Sequence, residues 1–372
     1  MKLLSICIPT YKRPPTLRRC IESVVTQIKQ FELQDQVEIY VANDASPDNT
    51  AEVLAEFVKV PFFRCVNRAA NLGMSANIKS MLTEALETSS FQLIITDDDF
   101  LLDETLGELV DFLTRQQSSN PEVSVIWTPR YSYTDDNELH GVVCETFDVD
   151  QVILPSYRNA GRYMYNGFVL SGLIVKASKI DYSFWSEYQE NAYFPVIFSG
   201  DIMLRYPAMY WHRSIVHHAV LNECHWDRWG QSDAEITLRL FIDYLNAYVV
   251  IGQRLPSLWQ RLAFYLSAFP RAYQMTNSLL ITSGGFFRLG ASEAAALLSI
   301  DKVSYAQLKP PAGIMLSFML IRVIVSCLVK ATALRMLSLV AVNEGKRNQW
   351  AESYERLKQW MFNAKFIMRW TA

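Results

Sequence analysis

Across its first 130 residues this chain alternates two apolar rhythms. Short runs of strand length, Leu3–Ile8, Val37–Ala42, Pro61–Val66, Phe91–Ile95 and Val123–Trp127, are separated by stretches with apolar residues at helical spacing. Leu17, Ile21, Val24 and Ile28 mark the first such face, after Pro14–Pro15. Ile78, Leu82, Ala85 and Leu86 mark another, and Leu106, Leu109, Val110 and Leu113 a third. Strands that are apolar nearly throughout, rather than at every second position, need cover on both faces. Intervening helices supply that cover, so the pattern predicts an α/β fold, a mainly parallel sheet with helices on both faces. Ligands of such sheets sit beyond the carboxyl ends of the strands, which makes the residues directly after each run the candidates for a site.

From about residue 140 to 232 the chain is aromatic and irregular, with one further strand-like run, Phe168–Val175. From Ala234 onward long helical patterns dominate. A length of 372 residues with 50% hydrophobic content suits two domains and excludes a disordered chain. The expected division is a domain at 1–232, with halves at about 1–130 and 131–232, and a helical extension at 233–372. Six scattered cysteines without a C-x-x-C pair indicate neither a zinc ribbon nor a disulfide scaffold, and point to a reducing, cytoplasmic setting. The opening MKLLSICIPTYKRPP meets proline too early to read as a signal peptide.

The strand exits carry the chemistry. The first run is followed by Pro9-Thr10-Tyr11-Lys12-Arg13 and the second by Asn43-Asp44-Ala45-Ser46-Pro47-Asp48. The third leads to Asn67-Arg68-Ala69-Ala70-Asn71-Leu72-Gly73, and the fourth ends in Thr96-Asp97-Asp98-Asp99. Three adjacent carboxylates repel one another, and a fold gains nothing by gathering them at a sheet edge without a cation. Oxygen-rich clusters of this kind suit Mg²⁺ or Mn²⁺, which keep positions open for phosphate oxygens. The plainer alternative is helix capping by Asp99 or Asp103 ahead of Glu104, but a cap needs one acid, not three. Asp48 suits a cap for a helix at 49–58, whereas Asp44 at the strand tip is placed to accept hydrogen bonds from a base or ribose.

These segments resemble family 2 glycosyltransferases of the GT-A fold, strongly over residues 3–130 and loosely over 165–232. LSICIPTYKRPPTLRRCIESVVTQ is similar to the family's opening strand and helix, and VEIYVANDASPDNT to its second strand with the DDGSxDxT segment. NRAANLGMSANI is similar to the NxGxxxAxN stretch, and IITDDDFLL to the metal-binding DxD segment. Within the family, the T-D-D-D form and the aromatic region after it resemble bacterial polysaccharide transferases of the abequosyltransferase kind. The resemblance implies a divalent cation (Mg²⁺ or Mn²⁺) on Asp97 and Asp99, with His225 as a later third ligand. It implies a donor site formed by Pro9, Thr10, Tyr11, Arg13, Asp44, Arg68, Asn71 and Asp98, with Arg228 facing phosphate. It also implies inversion at the sugar, with a carboxylate taking the acceptor proton. Asp201 in Ser199-Gly200-Asp201 is the expected base, and Glu190 and Glu187 are its competitors. Two departures stand out: Asn43 replaces the first acid of the usual pair, and Ala45 the usual glycine, so a left-handed residue is not expected there. The adjacent His217 and His218 face opposite ways on a strand and are assigned no role.

The expected activity is a metal-dependent inverting transfer of sugar from a nucleotide-diphosphate donor to a saccharide acceptor, polyprenyl-linked, in bacterial surface polysaccharide synthesis, O-antigen included. A sugar nucleotidyltransferase would need a glycine-rich loop after the first strand, and Pro9–Pro15 contains no glycine. A non-catalytic nucleotide-binding or scaffold protein remains a third class. Residues 302–372 carry a net charge of +8 against −11 for the rest, which favours a phosphate-rich surface. No nucleic-acid-reading module is recognisable, so the expected surface is the inner face of the cell membrane, held peripherally. Ala312–Val342 is apolar but interrupted by Arg322, Lys330 and Arg335, which reads as an interfacial or packed helix rather than a span.

Overall fold

The computed structural model describes residues 1–133, 139–142, 147–188, 190–219 and 233–276, together with positions 348, 351 and 355. The chain divides into two compact units, Met1–Glu223 and Cys224–Ala372. His225, Arg228 and the segment 302–372, each given a role above, lie outside the described residues, the three single positions excepted.

The first unit opens with β1 (Lys2–Thr10), α1 (Pro14–Gln30), β2 (Val37–Asn43), α2 (Thr50–Phe57), β3 (Phe63–Asn67), α3 (Met74–Ala85) and β4 (Ser89–Ile94). β5 (Phe100–Leu101), α4 (Thr105–Ser119), β6 (Val125–Trp127), β7 (Tyr131–Tyr133), β8 (Leu139–Val142) and β9 (Gln151–Ile153) follow. The remainder comprises α5 (Tyr157–Tyr163), a 3₁₀ turn at Met164–Gly167, β10 (Leu173–Val175), α6 (Tyr182–Glu187), α7 (Phe194–Arg205), β11 (Ala208–Tyr210) and β12 (Val216–Ala219).

The main sheet has the order β3-β2-β1-β4-β10-β6-β11-β9. β3, β2, β1 and β4 are all parallel, and β10 enters antiparallel between β4 and β6. Every residue of β2 is buried, and so is β1 from Leu4 to Thr10. Successive side chains point to opposite faces, so the sheet is covered on both, as the unbroken apolar runs require. The expected helical faces are buried as well: Leu17, Ile21, Val24 and Ile28 on α1, and Leu106, Leu109, Val110 and Leu113 on α4.

The run at 168–175 differs from its expected form. Only Leu173–Val175 is strand, while Phe168 closes the 3₁₀ turn and Gly172 adopts φ +84°. Ala45 also departs from expectation, taking φ +56°. The turn there keeps a left-handed backbone without a glycine, and an alanine bears the strain. A second, smaller sheet, β5-β12-β7-β8, forms beside the exit of β4. In the second unit α8 (Asp233–Gln253) and α9 (Leu258–Thr276) form a helical pair.

Candidate functional site

The carboxyl ends of the neighbouring strands β1 and β4 bring together two segments more than 80 residues apart in sequence. Asp97 accepts hydrogen bonds from the Thr10 hydroxyl at 2.7 Å, the Tyr11 backbone N–H at 3.3 Å and the Arg13 guanidinium at 3.2 Å. Arg13 also donates to the Asp98 carboxylate, and Arg19 to the Asp98 carbonyl at 3.2 Å. Burial pushes the Asp97 carboxyl up to about 6; the Arg13 charge opposes that shift and Asp98 adds to it. A charged oxygen pair in low dielectric raises its own free energy until a cation or proton arrives.

None of the three acids caps the following helix. α4 begins after Glu104, which sits at φ +61° with no side-chain cap. Gln27 of α1 serves that end instead, accepting from Leu106 N–H at 2.9 Å and donating to the Leu102 carbonyl at 2.9 Å. Capping therefore does not account for the acidic triplet.

Asp99 is 1% exposed and faces His218, whose Nδ1 lies 2.9 Å from its Oδ2. The Thr96 hydroxyl donates to the same carboxylate at 3.0 Å. Burial alone would lower the His218 imidazole, but the hydrogen bond and charge of Asp99, with Asp98 behind it, prevail and raise it. Nothing in its neighbours along the chain singles His218 out. Pairing of β12 with β5 decides the matter: His217 is opposite Phe100 and stacks on it at 4.3 Å, which turns His218 toward Asp99. The available signal was the short apolar Phe100–Leu102 directly after the acids, able to pair with Val216–Ala219.

On the other side of β1, Asp44 is 3% exposed, and its two carboxylate oxygens accept the backbone N–H groups of Leu72 and Gly73 at 2.7 and 3.0 Å. Asn71 donates to the Asp44 carbonyl at 3.2 Å, and Gly73 takes φ +82°. Asp44 thus holds the Asn71–Gly73 loop at the mouth of the sheet. Asn43 donates to Asn67 at 2.8 Å and accepts from Ser46 N–H, tasks of an amide that is both donor and acceptor. Arg68 grips Glu84 at 2.6 Å and Asn77 at 3.2 Å, and Tyr40 donates to the same Glu84. Burial lowers the Arg68 guanidinium and raises the Glu84 carboxyl, so this cluster braces the β3 exit. Asp48 accepts the Thr50 N–H at the start of α2.

Ser171 completes the edge: its hydroxyl accepts the Thr96 N–H at 2.9 Å and lies 2.8 Å from the Thr96 hydroxyl. Gly172 N–H reaches the Ile94 carbonyl at 3.0 Å, and a Cβ on Gly172 would lie 2.9 Å from Thr128 Oγ1. Behind it, buried Arg130 donates to the Asn166 carbonyl at 2.6 Å. Gly167 packs so closely on α7 that a Cβ would lie 2.2 Å from Ser199 Oγ. Asp201, 2% exposed on α7, pairs with Arg205 one turn later. Glu187 is exposed as the last residue of α6, and Glu190 is exposed ahead of α7.

Among the described residues, no three His, Cys, Asp or Glu side chains already converge as a metal cage. The donor types at this edge nonetheless fit a hard divalent cation, two carboxylates and an imidazole with one carboxyl destabilised by burial.

Comparison with known proteins agrees with this architecture. Residues 5–144 match the family Glycosyl transferase family 2. Among curated relatives, abequosyltransferase RfbV of Salmonella typhimurium is 26% identical over 188 residues, covering 48% of this chain and 54% of that protein. An uncharacterised Mycobacterium tuberculosis protein, Rv1520, is 29% identical over 136 residues, 36% of each chain. The chain thus spans between about a third and a half of the length of these curated relatives. Among solved structures, S. aureus TarS 1–349 in complex with UDP-GlcNAc aligns with a TM-score of 0.59 at 15% identity, covering 96% of this chain and 91% of that one. That likeness is one of fold.

Proposed function

We propose that this chain, of which residues 5–144 match glycosyl transferase family 2, moves a sugar from a nucleotide-diphosphate donor to a saccharide acceptor. One observation carries the reading: Thr10, Tyr11 and Arg13 of one strand exit and Asp97–Asp98 of the next form a single half-buried, charged edge where α/β sheets take their ligands. The relationship to an abequosyltransferase supports a bacterial surface polysaccharide, O-antigen included, as the product, with a polyprenyl-linked acceptor at the inner face of the membrane.

In this mechanism Asp97 and Asp99, with His218 beside them, would hold Mg²⁺ or Mn²⁺. When bound, the ion neutralises charge that develops on the departing diphosphate. The chain's own groups do the remaining work. Arg13 sits at the same edge, ready to pair with phosphate oxygens. The loop anchored by Asp44 presents Asn71 and its backbone to the base and ribose. Asp201 takes the acceptor proton as the hydroxyl attacks from the opposite face, inverting the anomeric centre. What supports that role is its place on α7, packed against the Gly167 segment that leads to Ser171 and Thr96.

The test is a thermal-shift panel of UDP, GDP, CDP and dTDP with and without Mn²⁺, paired with a donor-hydrolysis assay. One diphosphate is expected to raise the melting temperature, with an added shift when metal is present. Asp99→Ala should remove the metal-dependent part, and Asp201→Asn should keep the shift while slowing transfer by roughly a hundredfold or more. No shift and no hydrolysis with any nucleotide would sink the proposal.

A further inference from the structure

The α8–α9 pair has an apolar face that its own packing leaves open. α9 buries Phe264, Tyr265 and Ala268, and Gly252 of α8 lies so close that a Cβ there would meet the Tyr265 hydroxyl at 2.3 Å. On the remaining arc, Leu258, Trp259 and Leu266 are 50, 77 and 66% exposed. At about 100° per residue these three fall within an arc of about 100°, one continuous stripe rather than scattered surface residues.

The charge around the stripe selects its occupant. No Asp or Glu occurs between Asp243 and the end of α9, whereas Arg254 and Arg261 flank the end that carries Leu258 and Trp259. A second copy meeting it through the same segment would bring like charge, while an anionic lipid surface would be attracted. Among the described residues no helix is long and apolar enough to cross a membrane, so the stripe can lie on a bilayer but not pass through it. Tryptophan beside leucine on one face with arginine nearby is the composition that settles at headgroup depth.

We infer that α9 is a membrane-surface helix that sinks Leu258, Trp259 and Leu266 into the outer acyl layer of an anionic bilayer. The inference rests on the proposed lipid-linked acceptor only for its biological purpose, since vesicle binding is read without turnover.

Vesicle flotation of the full chain tests it, using phosphatidylcholine alone and phosphatidylcholine with phosphatidylglycerol. The wild type should float with the anionic vesicles, less so as salt rises, and poorly with the neutral ones. The double variant Trp259→Ser, Leu266→Ser should bind at least about tenfold more weakly with an unchanged melting temperature and donor-hydrolysis rate. Absence of wild-type flotation, or equal flotation of the variant, overturns the inference. A lowered melting temperature with flotation intact would assign the stripe to the chain's own packing, and a changed oligomeric state in light scattering would assign it to a second copy. Either result also overturns it. Flotation without hydrolysis would leave this inference standing and remove the proposed function instead.

Discussion

Asp97 illustrates how a single side chain records both the fold and its use. Its folded pKa of about 6 lies above the ordinary value of about 3.9. Between roughly pH 4 and 6 the folded chain therefore holds a proton that the unfolded chain has released, and stability falls as pH rises through that window. The loss is complete about one unit above pH 6 and is on the order of 3 kcal/mol. Asp97→Asn should flatten this stretch of the melting-temperature profile and leave the unliganded protein as stable as the wild type or slightly more so at pH 7. Donor hydrolysis in that variant should fall by at least tenfold. A variant that melts lower across the whole pH range would show that the carboxylate stabilises the fold instead. At this scale the sequence was informative because like charges crowded in three consecutive positions are costly wherever they fall. It was silent on His218, since a histidine's partner is set by strand pairing and not by its neighbours in the chain. It also misjudged Ala45, where the turn keeps φ +56° without a glycine.

Among the elements, α1 was legible from its apolar spacing, and Leu17, Ile21, Val24 and Ile28 are each fully buried. Less visible was the polar residue on the same helix that organises the next one. Gln27 is 3% exposed and bridges the Leu102 carbonyl and the Leu106 N–H, tying α1 to the start of α4. Gln27→Ala would leave two buried backbone groups unserved and should cost about 1–3 kcal/mol by urea denaturation. The nucleotide-induced thermal shift should keep its sign. A cost within a few tenths of a kcal/mol would mean that another group takes over. Strands of three residues such as β10, β6 and β11 resist sequence reading because a period of two needs more than three residues to declare itself. The apolar Phe168–Leu170 supplied hydrophobic content without strand geometry, for Gly172 turns the chain before β10 begins.

For the molecule as a whole, the α/β architecture was legible because unbroken apolar strands admit few other solutions. The insertion of β10 between β4 and β6 was not, since nothing in a strand's composition states which neighbour it will choose. The division after Glu223 gives a direct test of the metal partner. A chain ending at residue 223 retains Asp97, Asp99 and His218 but lacks His225. Its Mn²⁺-dependent thermal shift with nucleotide is expected to persist, and loss of that shift in a folded truncation would return the role to His225.

Arg13 has one more implication. A guanidinium already lies across Asp97 and Asp98 and offsets part of their charge, as the ion of the proposed function would. Under the proposed function loading would be an exchange: the arginine would release Asp97 as the metal arrived, and the freed fork would be able to pair with the diphosphate. Arg13→Gln should accordingly tighten Mn²⁺ binding in calorimetry without nucleotide while weakening capture of the nucleotide itself. Parallel loss of both would mean that the arginine only scaffolds the pocket. On that reading the arginine would guard the carboxylates until a diphosphate drew it away.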